Sequence, residues 1–143
     1  MTTYDDSGDR LRLRQLVEQY ARAADTQDAV LFADVFTDDA ILYTSRGDIH
    51  GRADLLKVAP RLARYRATMH LVGNHYVTFD GADHAHGLTY CEASHMREVD
   101  GVGWVYVMRI VYHDVYVRDT RGWRISERRL ELLWDEDRPL KAG

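Results

Sequence analysis

Residues 67–75 read "ATMHLVGNH", and the fold turns on taking this run as the opening of a strand. From Thr68 onward the apolar residues follow long β-rich runs, separated by "DGAD" (80–83), "DGVG" (100–103) and "DTRG" (119–122), each with turn chemistry. The turns recur about every twenty residues, so the strands between them exceed the common five or six residues. Four such strands predict an antiparallel meander. Strands this long twist and bend, and a sheet curled around an amphipathic helix makes a one-ended cone. Gly73 and Gly87 fall mid-strand, where bends or bulges are expected.

Upstream the spacing changes from two to three and four. Leu13, Leu16, Val17, Tyr20 and Ala24 form one helical stripe, with Arg12, Arg14, Glu18 and Arg22 off it. A polar break, "DTQD" (25–28), follows, and Asp28 suits the N-cap of a second short helix burying Leu31, Phe32, Val35 and Phe36. "AILYTS" (40–45) predicts a short strand ended by the turn residues Gly47 and Asp48. "RADLLKVAPRLARYRA" (52–67) predicts a third helix, kinked or split by Pro60. Helices first and strands afterwards is an α+β layout: a cone-shaped, curved antiparallel sheet packed on N-terminal helices. A cone closed by helices leaves a pocket at its mouth for a small ligand.

The 143 residues fit one domain spanning 1–143, long enough to bury a sizeable core. The net charge is −4 and the 19 Lys and Arg residues are spread along the chain, so nothing recommends nucleic acid or an anionic membrane as partner. One cysteine, Cys91, rules out an internal disulfide and a cysteine-based zinc site. The N-terminal "MTTYDDSGDR" has no apolar signal region, and no window holds 18 consecutive apolar residues. A soluble cytoplasmic protein is the default expectation. Nine tyrosines and seven histidines are the compositional excess that hints at chemistry.

By alternation His70, Val72, Asn74, Tyr76 and Thr78 share one face of the first long strand, unless a bulge at Gly73 swaps the sides beyond it. Cys91, Ala93 and His95 share a face of the next; Tyr106, Met108, Ile110, Tyr112, Asp114 and Tyr116 share one of the third. Both sheet faces are half apolar, which predicts helices over one and a second subunit over the other. A carboxylate beside an imidazole fixes its tautomer and raises its basicity, making a general base for a proton α to a carbonyl or β to a leaving group. A phenol such as Tyr20 or Tyr43 can assist the oxyanion or leaving group. Against this stands the structural role open to each group: His70 as a bonded core residue, Asp25 as a helix-end cap. Periodicity places Asp28 nearer the apolar stripe than Asp25, so it does not choose between them. "HAH" (84–86) reads as a solvated strand end without a third metal ligand, and Cys91 as a small core residue. One of Arg128 and Arg129 is expected to turn inward and bind a carboxylate or phenolate.

"LVEQYARAADTQD…FADVFTDDAILY", "GRADLLK", "ATMHLVGNHYV" and "YVRDTRGWRISERRLELLW" together resemble the SnoaL-like, nuclear transport factor 2-like superfamily, which has a cystatin-like topology. The resemblance covers about residues 9 to 135 and is greatest for the scytalone dehydratase-like branch. It implies a cofactor-free pocket, with no metal, containing an Asp–His pair that falls on Asp25 and His70. It also implies roles for Tyr20, Tyr43 and His95 as assisting catalytic groups. Tyr112 and Asp114 stand where scytalone dehydratase offers small hydroxyl and amide groups, so the resemblance implies substrate contacts there but a substrate other than scytalone. The activity implied is a dehydratase-type elimination on a small, hydrophobic, ring-containing molecule, with a polyketide cyclase or isomerase, or a non-catalytic binding or assembly module, as alternatives. The implied assembly is a homo-oligomer, a trimer before a dimer.

Overall fold

The computed structural model describes residues 6–141. The apolar stripe of the N-terminal segment winds into α1 (Ser7–Thr26), which buries Leu13, Leu16, Val17, Tyr20 and Ala24, with Ala21 and Ala23 widening the contact. Its solvent side carries charge pairs one turn apart, such as Arg14 Nε to Glu18 Oε1 at 2.9 Å. The helix stops where Gln27 enters the left-handed region at φ 58°. Asp28 then caps α2 (Ala29–Ala33) as its spacing predicts, its carboxylate accepting from the Leu31 N–H at 2.9 Å. Phe32 is buried in α2, and Val35 and Phe36 are buried just beyond it.

Six strands follow: β1 (Phe36–Thr44), β2 (Gly47–His50), β3 (Ala67–Phe79), β4 (His84–Val99), β5 (Val102–Asp119) and β6 (Gly122–Pro139). They form one open, curved sheet in the order β2-β1-β6-β5-β4-β3. β3 to β6 are the expected antiparallel meander. At the β4–β5 turn Asp100 and Gly101 both have positive φ, 50° and 77°, the turn geometry that matches strand twist.

Two features differ from expectation. The sheet is mixed, because β1 lies parallel to β6, with Leu42 beside Arg128 and Tyr43 beside Arg129. Gly47 and Asp48 do more than end a strand: they begin β2, which folds back antiparallel on β1. The third helix is split, one of the two outcomes expected of Pro60, into α3 (Gly51–Leu55) and a 3₁₀ turn (Ala59–Arg64), with Pro60 in the first turn of the second piece. Proline's missing N–H is harmless there, where no acceptor waits for it.

Bulges bend the long strands. Gly73 and Asn74 together oppose Tyr90, so the sides swap within β3. Thr68, His70 and Val72, and then His75, Val77 and Phe79, are therefore the half-buried residues of the concave face, while Asn74, Tyr76 and Thr78 are exposed. β6 has register shifts of its own near Ser126 and Leu133. Gly87 hosts no bulge; a Cβ there would collide with the backbone carbonyl of Tyr76. Its role is close strand contact. Helix α1 covers the concave face, packing on β3 and β6, and α2 and the 3₁₀ turn pack against α1. No helix among the described residues is long and apolar enough to cross a membrane.

Candidate active site

α1 crosses the open edge of β3, and its arginines satisfy the carbonyls there. Arg14 Nη1 donates to Gly73 O at 2.7 Å and Nη2 to Val72 O at 3.4 Å, while Arg10 Nη1 donates to Val77 O at 2.9 Å. These contacts fix helix against strand, and so bring the last turn of α1 to His70. Asp25 Oδ1 lies 2.7 Å from His70 Nδ1, and Oδ2 accepts from the His70 backbone N–H at 2.9 Å. Thr68 Oγ1 donates to Oδ1 at 2.9 Å. The carboxylate is thus held at both oxygens. Burial pushes the Asp25 pKa up, but the hydrogen bonds from His70 and Thr68 and the histidine's charge outweigh it and hold the carboxyl below its ordinary value. An ionised carboxylate is acceptor only, so His70 Nδ1 carries the proton and Nε2 the lone pair. The His70 side chain is 8% exposed and that of Asp25 25%.

His95, facing inward from β4, lies edge-on to His70 with ring centroids 5.7 Å apart. Its Nδ1 is 3.3 Å from the Tyr106 carbonyl, which requires a proton on Nδ1 and leaves Nε2 as acceptor. Burial, with the neighbouring His70, holds the His95 pKa below its ordinary value. Tyr65 and Tyr106 complete the group, their rings 4.9 and 5.9 Å from that of His95. Thr68, Tyr65 and Tyr106 are additions to the residues singled out in the sequence. Thr68 was accessible to alternation, since it stands two positions before His70. Tyr65 was hidden in a segment with helical spacing.

The other expected site residues lie elsewhere. Tyr43 points away from the concave face, because its neighbour Leu42 is buried in the core; the Arg129 guanidinium lies 3.9 Å over its ring. Neither meets the dyad. Tyr20 is 8% exposed and packs on Phe32 and Tyr112 at 4.8 and 5.6 Å, and burial pushes its phenol pKa up. Arg128 is the arginine that turns inward, but its carboxylate comes from the chain itself. Its Nε and Nη2 donate to Asp114 at 2.7 and 2.9 Å, between the rings of Tyr20 and Tyr112 at 4.3 and 4.1 Å. Thr89 and Tyr116 also donate to Asp114, at 2.7 and 3.1 Å. Burial opposes the Arg128 charge, and the Asp114 carboxylate more than offsets it, so the guanidinium stays charged. The side chains of Tyr112, Asp114 and Arg128 therefore fill the depth of the cone instead of lining the cleft at the dyad. Cys91 sits among them, its thiol pushed up to about 12 by burial.

The cavity that reaches the dyad is a cleft of about 370 Å³ beside α1, lined by Arg14, Glu18, Arg22, Asp25, His70 and Val72 among others. It opens along the helix, not down the cone axis. Among the described residues no group of three or more His, Cys, Asp or Glu is placed to hold a metal ion; His84 and His86 are exposed, and His86 binds Asp80 at 2.6 Å.

Residues 5–129 match the family described as the SnoaL-like domain. The uncharacterized protein Rv2910c of Mycobacterium tuberculosis is 31% identical over 131 residues, 90% of this chain and 88% of that one. Among solved structures, the hexachlorocyclohexane dehydrochlorinase LinA-type3 of Novosphingobium barchaimii superposes with a TM-score of 0.79 at 20% identity, covering 93% of this chain and 90% of that one. A candidate scytalone dehydratase from Novosphingobium aromaticivorans gives 0.80 at 19% identity, covering 94% and 91%. At these identities the two structures show a shared fold.

Proposed function

We propose that this chain, which belongs to the SnoaL-like domain family, is a cofactor-independent lyase acting by dehydratase-type elimination on a small, hydrophobic, ring-containing molecule. The observation that carries this reading is the 2.7 Å contact between Asp25 and His70. His70 Nε2 takes a proton from carbon next to a carbonyl; the C–H electron pair moves into a carbon–carbon double bond and the carbonyl pair onto oxygen. Asp25 orients the ring and stabilises the imidazolium that forms. Return of the electrons expels a β-hydroxyl, which leaves as water once protonated. His95, its ring centroid 5.7 Å from that of His70, is a second polar group beside the base. An isomerase would use the same base and return the proton to a different carbon; a cyclase would direct the carbanion onto a second carbonyl carbon of the same molecule and give the proton to the alkoxide so formed.

Proton abstraction can be read without knowing the substrate. Cyclic ketones and β-hydroxy ketones incubated with the protein in D₂O are followed by NMR for loss of α-hydrogen signal or appearance of the enone. The wild type is expected to exchange or eliminate at least one of them, and His70→Gln, folded by circular dichroism, is expected to be inactive. Equal activity in His70→Gln sinks the dyad. Exchange by neither protein favours the non-catalytic reading, to which the packed depth of the cone lends support.

Self-association belongs to the same proposal. The convex face exposes Met69, Leu71, Tyr90, Leu133 and Trp134, around a hollow of about 440 Å³, and such a patch calls for cover. Light scattering is expected to give three times the 16.6 kDa chain mass, a dimer being the next choice; a monomer at micromolar concentration contradicts it.

A further inference from the structure

The dyad chemistry leaves one ring beside it without a role. Tyr65 follows the 3₁₀ turn in extended backbone (φ −91°, ψ 148°) and is half-buried. Its ring stands 4.9 Å from that of His95, which in turn stands 5.7 Å from that of His70. The Arg64 guanidinium lies 4.9 Å over the same ring, and its Nη2 donates to Tyr65 Oη at 3.1 Å. A guanidinium has donors only, so the phenol oxygen must accept. The phenol's own proton has no acceptor among the described residues.

Among the described residues no other phenol meets these conditions. Tyr106 also borders His95, but its hydroxyl donates to Asp135 at 2.6 Å, so its proton is committed. Tyr20 is enclosed in the core and Tyr43 stands on the opposite face. The polar groups therefore run in a definite order: the Asp25 carboxylate, His70, His95, Tyr65, and the Arg64 guanidinium. One end is negative and basic, the other positive and able to donate. Asp135 is the opposing carboxylate near the donating end, with Arg46 and Arg97 among the neighbouring cations.

We propose that Tyr65, supported by Arg64, forms an oxyanion-binding subsite, and that the ligand places a ring oxygen (carbonyl, enol or phenol) on it while a C–H bond meets His70. The C–H half rests on the proposed dyad; the oxygen half does not. As His70 takes the proton, charge develops on that oxygen, where the Tyr65 hydroxyl meets it and the guanidinium lies behind. Arg64 is solvent-exposed, so its charge is screened and the hydroxyl carries the larger share.

The test uses 4-nitrophenol, whose neutral and ionised forms absorb at different wavelengths, titrated with the full-length protein across a pH series. The wild type is expected to bind the phenolate roughly tenfold more tightly than the phenol, lowering the apparent pKa of the bound probe by about one unit. Tyr65→Phe, which removes only the hydroxyl, is expected to lose most of that preference, and Arg64→Gln a smaller part. His70→Gln is expected to keep it. Absence of saturable binding by the wild type, a preference for the neutral phenol, or full preference in Tyr65→Phe overturns the proposal. The two readings fail separately: an active His70→Gln removes the dyad and leaves the subsite, whereas an inactive His70→Gln beside an unaltered Tyr65→Phe does the reverse.

Discussion

Asp25 and His70 show how much a single side chain's surroundings decide. The carboxylate binds the imidazole, the backbone amide of the same residue, and the Thr68 hydroxyl. Asp25→Asn keeps the shape but offers a donor where the ring needs an acceptor, so the rate of proton abstraction is expected to fall by roughly 10² to 10⁴ with the fold intact. Thr68→Val removes one of three bonds; a smaller loss of rate is expected, and about 1 kcal/mol of stability by urea titration. The pH dependence has a calculable sign. Asp25, held below its ordinary value, contributes stability that is present above about pH 3.9 and is lost as pH falls through its lower folded value. His95 and His75 are both held below their ordinary value by burial. Unfolded histidines take up protons below about pH 6.5 that the folded ones refuse, so stability falls with pH from there downward. The melting temperature is expected to drop between pH 7 and 5, and less steeply in His95→Asn; a flat profile contradicts this. The family resemblance put the pair on Asp25 and His70, whereas periodicity did not, because Asp25 and Asp28 differ by less than a helical turn; the contact with β3 now separates them. Arg128 and Arg129 are adjacent, so the face of β6 on which each lies depended on the bulge at Ser126.

At the scale of elements, the glycines divide by function. Gly73 lies in a bulge that turns His75 into the concave face, whereas Gly87 permits close contact between β3 and β4. Gly87→Ala would press a methyl against the Tyr76 carbonyl and is expected to destabilise by about 2–3 kcal/mol, measured as a shift of the urea midpoint at unchanged slope. Gly8, with open space around its Cβ position, provides the contrasting site. The meander was legible because its pairings are local and its turns carry Asp and Gly at regular intervals. β1 against β6 was not, since a parallel pair joins segments far apart in sequence and leaves no turn between them. The split at Pro60 and the strand from Ala67 were both legible, but the helical spacing runs on past Arg64 and hides the extended backbone of Tyr65.

For the molecule as a whole, the depth of the cone is held by charge as well as by apolar packing. Arg128 and Asp114 are almost wholly enclosed, 1% and 2% exposed. Removing one partner strands the other, so Arg128→Met is expected to cost about 3–5 kcal/mol, while Arg128→Met with Asp114→Leu recovers most of it in a double-mutant cycle. An inward arginine at 128 or 129 was legible in the sequence, but Asp114 as its partner was not, because the pairing depends on the β5–β6 register. The way α1 lies along β3 has one further consequence. An edge strand with open carbonyls and amides is a template on which the strands of other molecules grow. Here Arg10 and Arg14 occupy three of those carbonyls and Asp25 one of the amides. The carboxylate that holds the His70 ring thus also occupies part of the sheet's open edge. A variant chosen to weaken the dyad by removing that carboxylate is expected to shorten the lag before fibril formation as well, so selection for solubility alone would tend to keep an acid at this position.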